Sequence, residues 1–257
     1  MRQQPNISPR VRRARIADLV RQEGEVKVDM LVKMFGASHE TIRRDLSVLA
    51  DTGDVLKFHG GAKLPKRVEE GPFQERMTLN EPAKREIAAK TARLLRPGDT
   101  VFIDTGSTTL MCAQEFARID RLTVITNSAL NAASVYKEGR VTKTYLVGGA
   151  YDGDNKETYG GLAIEQLSSF VGDHAVIGAA ALNAKGGVMN ANTNEADVAR
   201  AMMGRVGNVI VVADSGKFDQ QATFSVCGFD KVNVLVSEVP PQGALADALA
   251  VAEVRVI

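Results

Sequence analysis

Two cysteines, Cys112 and Cys227, are all that a chain of 257 residues contains. Two thiols build neither a disulfide framework nor a complete zinc site, and three histidines leave little material for a His-based metal centre. No metal and no cofactor is therefore expected, and both cysteines read as buried thiols in a reducing cytoplasm. Long apolar runs are also missing. No stretch approaches the roughly 18 residues that span a bilayer, so no membrane partner is expected. Residues 1–21 carry six arginines without a continuous apolar segment, which argues against a secretory signal. The sequence shows neither internal repeats nor low-complexity segments.

What is present is ordinary for a globular protein, with 44% apolar and 25% charged residues. The length suits one small domain plus one of about 150–200 residues. Charge is divided unevenly between them. Residues 1–67 hold 14 Lys and Arg against 8 Asp and Glu, a net of +6, and the remainder is net −5, giving +1 overall. A basic head on an acidic body suits a head that meets a polyanion.

The head reads as helical. Arg10–Glu23 places Ile16, Leu19 and Val20 at helical spacing, and Gly24 stops it. A second helix is expected from about Asp29 to Phe35, because Val28, Leu31, Val32 and Phe35 make one apolar stripe. Gly36-Ala37 then turns the chain. Ser38 is a good N-cap, and Glu40 falls in the first turn, where the helix dipole favours an anion. The third helix runs to about Ala50, with Ile42, Leu46 and Leu49 inward. Val55–Lys57 reads as a strand and His59-Gly60-Gly61 as a tight wing turn.

Two short helices joined by a tight turn, with arginines on the outer face of the second, fit the major groove of operator DNA. His39, Glu40, Thr41 and Arg43 are the base-contact candidates. Ser38, Arg44, Lys57, His59 and Gly60 complete the DNA-binding set, with Arg44 and Lys57 on phosphates, which fix register but read no sequence.

Pro65, Pro72 and Pro82 interrupt a charged stretch that reads as a linker over 65–82, between a head at 1–64 and a second domain at 83–257. A helix is expected over Ala83–Leu95. Beyond it, apolar runs alternate with helical stretches. The runs are Val101–Asp104, Leu122–Thr126, Thr144–Gly148, Ala175–Gly178, Val209–Ala213, Val232–Ser237 and Val254–Ile257. That pattern argues for a mostly parallel α/β sheet.

Asp104 to Thr109 joins a strand end to a helix start. Gly106 lets the backbone turn. Ser107, Thr108 and Thr109 bring hydroxyls to the free N–H groups of a helix N-terminus, which suits a phosphate or another anion; an ordinary capped βα turn would read the same way. Thr126-Asn127, Gly148-Gly149 and Asp214 to Lys217 also follow expected strands. In a parallel sheet, strand carboxyl ends converge on one edge, where ligands bind. Lys217 would supply positive charge. Asp104 would repel a phosphate, and reads instead as an acceptor for sugar hydroxyls or as a helix cap. Glu195 and Asp197 fall on an expected helix and read as solvated surface.

Thr41-Ile42-Arg43-Arg44-Asp45-Leu46 followed by His59-Gly60-Gly61-Ala62 resembles the signature of the DeoR family of bacterial regulators. The resemblance continues through Lys84, Asp104-Thr105-Gly106-Ser107-Thr108-Thr109, Thr126-Asn127, Gly148-Gly149 and Asp214-Ser215-Gly216-Lys217, and so covers nearly the whole chain. It implies a repressor of a sugar or polyol catabolic operon, released by a phosphorylated sugar or polyol. The sensor fold it implies is like that of ribose-5-phosphate isomerase and CoA transferases, and the assembly a homo-oligomer. Two positions depart from the family's pattern. Lys27 stands where a small capping residue is usual, and Gly216 where a second Ser is, which removes one hydroxyl from the expected effector pocket. Two other functions compete: a sugar-phosphate isomerase with an accessory DNA-binding head, and a constitutive DNA-binding protein whose second domain serves only assembly. No acid–base pair is identifiable from spacing, which weighs against the enzyme.

Overall fold

The computed structural model describes residues 7–64, 68–137 and 143–257. Its head begins with α1 (Pro9–Glu23), β1 (Glu25–Lys27), α2 (Val28–Phe35) and α3 (His39–Asp51), and closes with β2 (Leu56–Phe58) and β3 (Gly61–Lys63). Ile16, Val20, Leu31, Ile42, Leu46 and Leu49 meet in one core, the inward stripes of the three helices. The strands pair antiparallel in the order β1-β3-β2, so the head is a winged helix-turn-helix. The wing strand β2 lies one residue beyond the expected Val55–Lys57, because Val55 turns into the core. Asp45 is buried and pairs with Arg12 at 2.5 Å and with Arg13 at 3.6 Å, which fastens α1 to α3.

Of the expected linker 65–82, the described residues 68–82 are not an extended tether. They contain α4 (Phe73–Thr78), whose Phe73 is buried, and the Val68 N–H donates to the Gln221 carbonyl. The helix expected over Ala83–Leu95 is α5 (Glu81–Ala92), with Pro82 in its first turn, where a missing N–H costs nothing.

All seven expected runs form strands of one sheet: β4 (Thr100–Ile103), β5 (Thr123–Thr126), β6 (Lys143–Leu146), β9 (Gly172–Gly178), β12 (Val206–Val212), β14 (Val234–Val236) and β15 (Arg255–Val256). Their order is β15-β14-β12-β9-β4-β5-β6, and every pairing is parallel. Alternate residues serve opposite faces. Val101, Ile103, Ile210 and Val212 pack under α5, α6 (Ser107–Phe116) and α7 (Ala129–Lys137). Phe102, Ile177, Val209 and Val211 pack under α8 (Gly161–Ser168), α9 (Thr193–Met203) and α10 (Gly243–Val251). Two small antiparallel units complete the domain: the hairpin of β7 (Ala150–Asp152) with β8 (Glu157–Tyr159), and the sheet of β10 (Ala181–Asn183), β11 (Gly187–Asn190) and β13 (Phe224–Cys227).

The chain runs outward in one direction through β4, β5 and β6, and in the other through β9, β12, β14 and β15. The order therefore reverses between β4 and β9. A crevice opens at the carboxyl ends of two strands that diverge in this way, and it is where open α/β sheets hold ligands. Among the described residues, no helix is long and apolar enough to cross a membrane.

Candidate functional site

The expected DNA-facing surface is built on α3. Ser38 caps the helix, accepting from the Thr41 N–H at 3.2 Å, and the two hydroxyls lie 2.9 Å apart. Thr41 is thus engaged locally. His39 lies 2.9 Å from the Asp29 carboxylate, and Arg44 bonds Glu40 one turn back at 3.1 Å. Arg43 is exposed, and no described residue binds its guanidinium. Lys57 reaches across from β2 to the Ser47 hydroxyl at 2.8 Å, which holds its ammonium beside the helix. His59 and Gly60 form the exposed two-residue wing turn, with Gly60 at φ +89°, a conformation natural to glycine. Lys27 caps α2 without a side-chain bond, and the Val28 N–H donates instead to the Gly60 carbonyl.

The second cluster lies at the β4/β9 switch. Thr105 to Thr109 leave β4, Gly178 to Ala180 leave β9, and Lys217 arrives from the turn after β12. With Asn190 and Glu195 they line a small cavity of about 30 Å³. The first-turn N–H groups of α6 have no acceptor one turn back, and Ser107, Thr108 and Thr109 of that turn line the cavity. Thr105 also lines the cavity, and its Oγ1 is buried without a hydrogen-bond partner. Lys84 lies behind Ser107, donating to its hydroxyl at 2.9 Å and to the Arg76 carbonyl. Burial lowers the Lys84 pKa, against the nearby Asp214 carboxylate, which raises it.

Of the expected effector residues, Gly106, Ser107, Thr108, Thr109 and Lys217 are brought together here. The other five lie elsewhere. Asp104 neither caps α6, whose cap is Gly106, nor faces the cavity. Its two carboxylate oxygens accept the Gly178 N–H at 3.0 and 3.1 Å, clamping β4 to β9. Burial pushes its pKa well above the carboxylate range, against the Gly178 bond. The Thr126 hydroxyl accepts from Ser128 N–H, and the Asn127 amide donates to Glu157 and the Thr158 carbonyl. Gly148 N–H donates to Gln166 Oε1. Gly149 permits close approach of β8, since a Cβ there would sit 2.4 Å from the Tyr159 carbonyl oxygen. Gly216 does not line the cavity. A side chain there would meet Asp214 and Asn80, which bond each other at 2.7 Å, so the hydroxyl missing from this position is not missing from the pocket.

Sequence reasoning also missed residues that the fold delivers. Glu70 and Arg76 come from the stretch expected to be a linker, and Arg76 donates to Asn155 of the β7–β8 turn. Glu195, expected on the surface, is buried. The Asn155 amide donates to it at 3.0 Å, and burial, then the Glu157 and Glu70 charges, pushes its pKa up to about 8. Burial likewise lifts Glu157 to about 7, against its hydrogen bond from Asn155. A signal existed in the sequence. Glu195, Val198, Ala199 and Met202 fall at i, i+3, i+4 and i+7, the buried stripe of α9. Asp197 lies off that stripe and pairs with Arg200 at the surface.

The cavity thus has two characters. Lys217, Arg76 and the α6 N-terminus supply positive charge. Asn190 and a Glu195 that holds its proton near neutrality add polar, uncharged groups to the same lining, and the Glu70 carboxylate pairs with both cations. Burial lifts both thiols to about 12, which leaves neither reactive.

Residues 12–68 match the family model of the DeoR-like helix-turn-helix domain, and residues 79–239 that of the DeoR C-terminal sensor domain. The chain is 29% identical over 234 residues to the glycerol-3-phosphate regulon repressor of Escherichia coli (strain K12), covering 91% of this chain and 92% of that protein. It is 33% identical over 229 residues to the transcriptional repressor AccR of Agrobacterium fabrum (strain C58 / ATCC 33970), covering 88% of each. Among solved structures, ribose 5-phosphate isomerase A of Methanocaldococcus jannaschii is similar at 15% identity and a TM-score of 0.40, over 54% of this chain and 55% of that one. The eIF2B beta chain of Chaetomium thermophilum is similar at 16% identity and a TM-score of 0.47, over 95% and 68%. Neither structural likeness bears on chemistry.

Proposed function

Since the chain belongs to the DeoR family of transcriptional regulators, we propose that it represses a sugar or polyol catabolic operon and is released by a phosphorylated sugar or polyol. It is a DNA-binding regulator rather than an enzyme, because relatives matching about nine-tenths of it are named repressors. The head, residues 1–64, holds operator DNA through α3 and the wing. Arg43 reads a base edge, with His39, Glu40 and Thr41 around it. Arg44, Lys57, His59 and Gly60 take the backbone.

Residues 83–257 sense the effector and assemble the oligomer, and 65–82 join them. The single observation that carries the sensing role is the pocket at the sheet's switch point, where Lys217 and Arg76 meet the first turn of α6. A phosphate would take Lys217 and the N–H groups of Ser107 to Thr109, and sugar hydroxyls would meet Asn190 and Glu195. Asn127 and Gly149 hold strand β8, and Glu157 of that strand accepts from both Asn127 and Asn155, so they support the pocket from behind, while Thr126 and Gly148 fix the neighbouring turns. The edge strand β6 exposes Tyr145 and Leu146 with Val171 nearby, an apolar surface suited to a second copy. Such an oligomer sets two heads on successive half-sites, in the cytoplasm where the operator lies.

Equilibrium binding to an operator selected from random duplexes tests the DNA half. Arg43→Ala is expected to cost about 1–3 kcal/mol and to relax preference at one position. Lys57→Ala should weaken all sequences evenly and lower the salt slope by about one. Equal affinity and unchanged preference for Arg43→Ala would remove α3 from the base-reading role.

A further inference from the structure

Residues 68–72 run beside the sensor pocket, and Glu70 is part of its lining. The segment is anchored on either side. Val68 donates its N–H to Gln221 and packs on Ala180, Ala181, Met189 and Ala222. Five residues on, the buried Phe73 donates its N–H to Asp154 at 3.1 Å. Between these anchors the Glu70 carboxylate lies 3.0 Å from Arg76 and 3.6 Å from Lys217. An anion of the chain's own therefore already pairs with the pocket's two cations.

Glu70, Arg76 and Glu195 line both this inner cavity of about 30 Å³ and an outer cleft of about 260 Å³, so they form the wall between the two. The inner space holds about one water molecule. A phosphate ester enters only if the wall parts, and the two spaces joined approach the roughly 300 Å³ at the small end of ligand sites.

We propose that Glu70 is a tethered stand-in for the effector's phosphate, and that an incoming phosphate displaces it and frees residues 68–71. The proposal rests on the reading of this pocket as the anion sensor. It adds a selection rule. A neutral sugar cannot replace the charge that Arg76 and Lys217 lose when Glu70 leaves, whereas a dianionic phosphate more than replaces it. It also supplies a route to the head, because the freed segment is the continuation of the wing strand β3.

The test uses the full chain and inorganic phosphate as probe, with binding measured by calorimetry and amide exchange followed over residues 68–71. Glu70→Gln, which keeps the shape and removes the charge, should bind phosphate about tenfold tighter than wild type, because two largely buried ion pairs no longer hold Arg76 and Lys217. Glu70→Asp keeps the charge and should stay near wild type. Lys217→Ala should bind more weakly. Phosphate should speed exchange at the Val68 amide in wild type, and in Glu70→Gln that exchange should be fast without phosphate. Equal phosphate affinity for wild type and Glu70→Gln, with Lys217→Ala still weakened, overturns the role of Glu70 and leaves the anion site standing. Phosphate binding with unchanged Val68 exchange overturns the displacement. Binding to none of the proteins, or undiminished binding to Lys217→Ala, overturns the anion site and the proposal with it.

Discussion

Replacing Glu195 by Gln changes how the stability of the sensor domain depends on pH. Glu195 is buried, with a pKa raised from 4.5 to about 8. Its folded-state value lies above its unfolded one, so the native state binds the proton more tightly. That contribution is complete below about pH 4.5 and is lost as pH rises to about 8. Three and a half pKa units at about 1.4 kcal/mol each set a ceiling near 5 kcal/mol. Water in the outer cleft and the Arg76 guanidinium both stabilise the ionised form, and the measurable part should be roughly 2 kcal/mol. Gln keeps the oxygen that accepts from Asn155 and cannot ionise. Urea unfolding of wild type and Glu195→Gln, followed on the sensor transition, should give nearly equal stabilities at about pH 5, with the variant about 2 kcal/mol more stable at about pH 9. Glu157, whose charge helps to raise Glu195, titrates together with it, so the difference between the two proteins reports the coupled pair. A difference that stays constant across this range would refute the reasoning, because Glu195 would then be ionised throughout.

The head offers two further tests. Asp45→Ala leaves the largely buried Arg12 without its partner and should destabilise the head by roughly 3 kcal/mol, read as a lowered head transition in thermal unfolding; a loss below about 0.5 kcal/mol, the scale of ordinary surface changes, would show that the α1–α3 clasp carries no weight. Lys27→Ser supplies the missing side-chain cap of α2 and should raise that transition by about 1 kcal/mol; no gain would mean that Gly60 already satisfies the helix end.

The sequence made the head legible because each of its helices repeats apolar residues at 3.6-residue spacing and meets a single core. The inner strands of the sheet were legible for a related reason: Val101–Ile103, Ala175–Ile177, Val209–Val212 and Val234–Val236 are buried on both faces and apolar without interruption, while the edge strands β6 and β15 are short and exposed. The small units were not. Strands such as Ala150–Asp152 and Ala181–Asn183 are three residues long, too short for any periodicity to show. The site was half legible. Its βα-turn residues and Lys217 announce themselves by position after strands. Glu70, Arg76 and Asn155 reach the pocket only through tertiary packing, and no spacing along the chain connects them. Asp104 misled in the other direction, since a carboxylate beside a glycine-containing turn looks like a ligand group but here bonds the neighbouring strand's N–H.

Coupling between pocket and head is the central claim, and operator release measures it most directly. Full-length wild type and Lys217→Ala are bound to the selected operator and titrated with a panel of sugar and polyol phosphates. The account expects equal operator affinity for both proteins without effector. One member of the panel should then weaken the wild-type complex by about 5–150-fold, the range of a 1–3 kcal/mol coupling, while Lys217→Ala stays bound at that concentration. Release of Lys217→Ala at the wild-type concentration would contradict the assigned site. An effector that binds wild type and leaves its operator affinity unchanged would contradict the coupling itself.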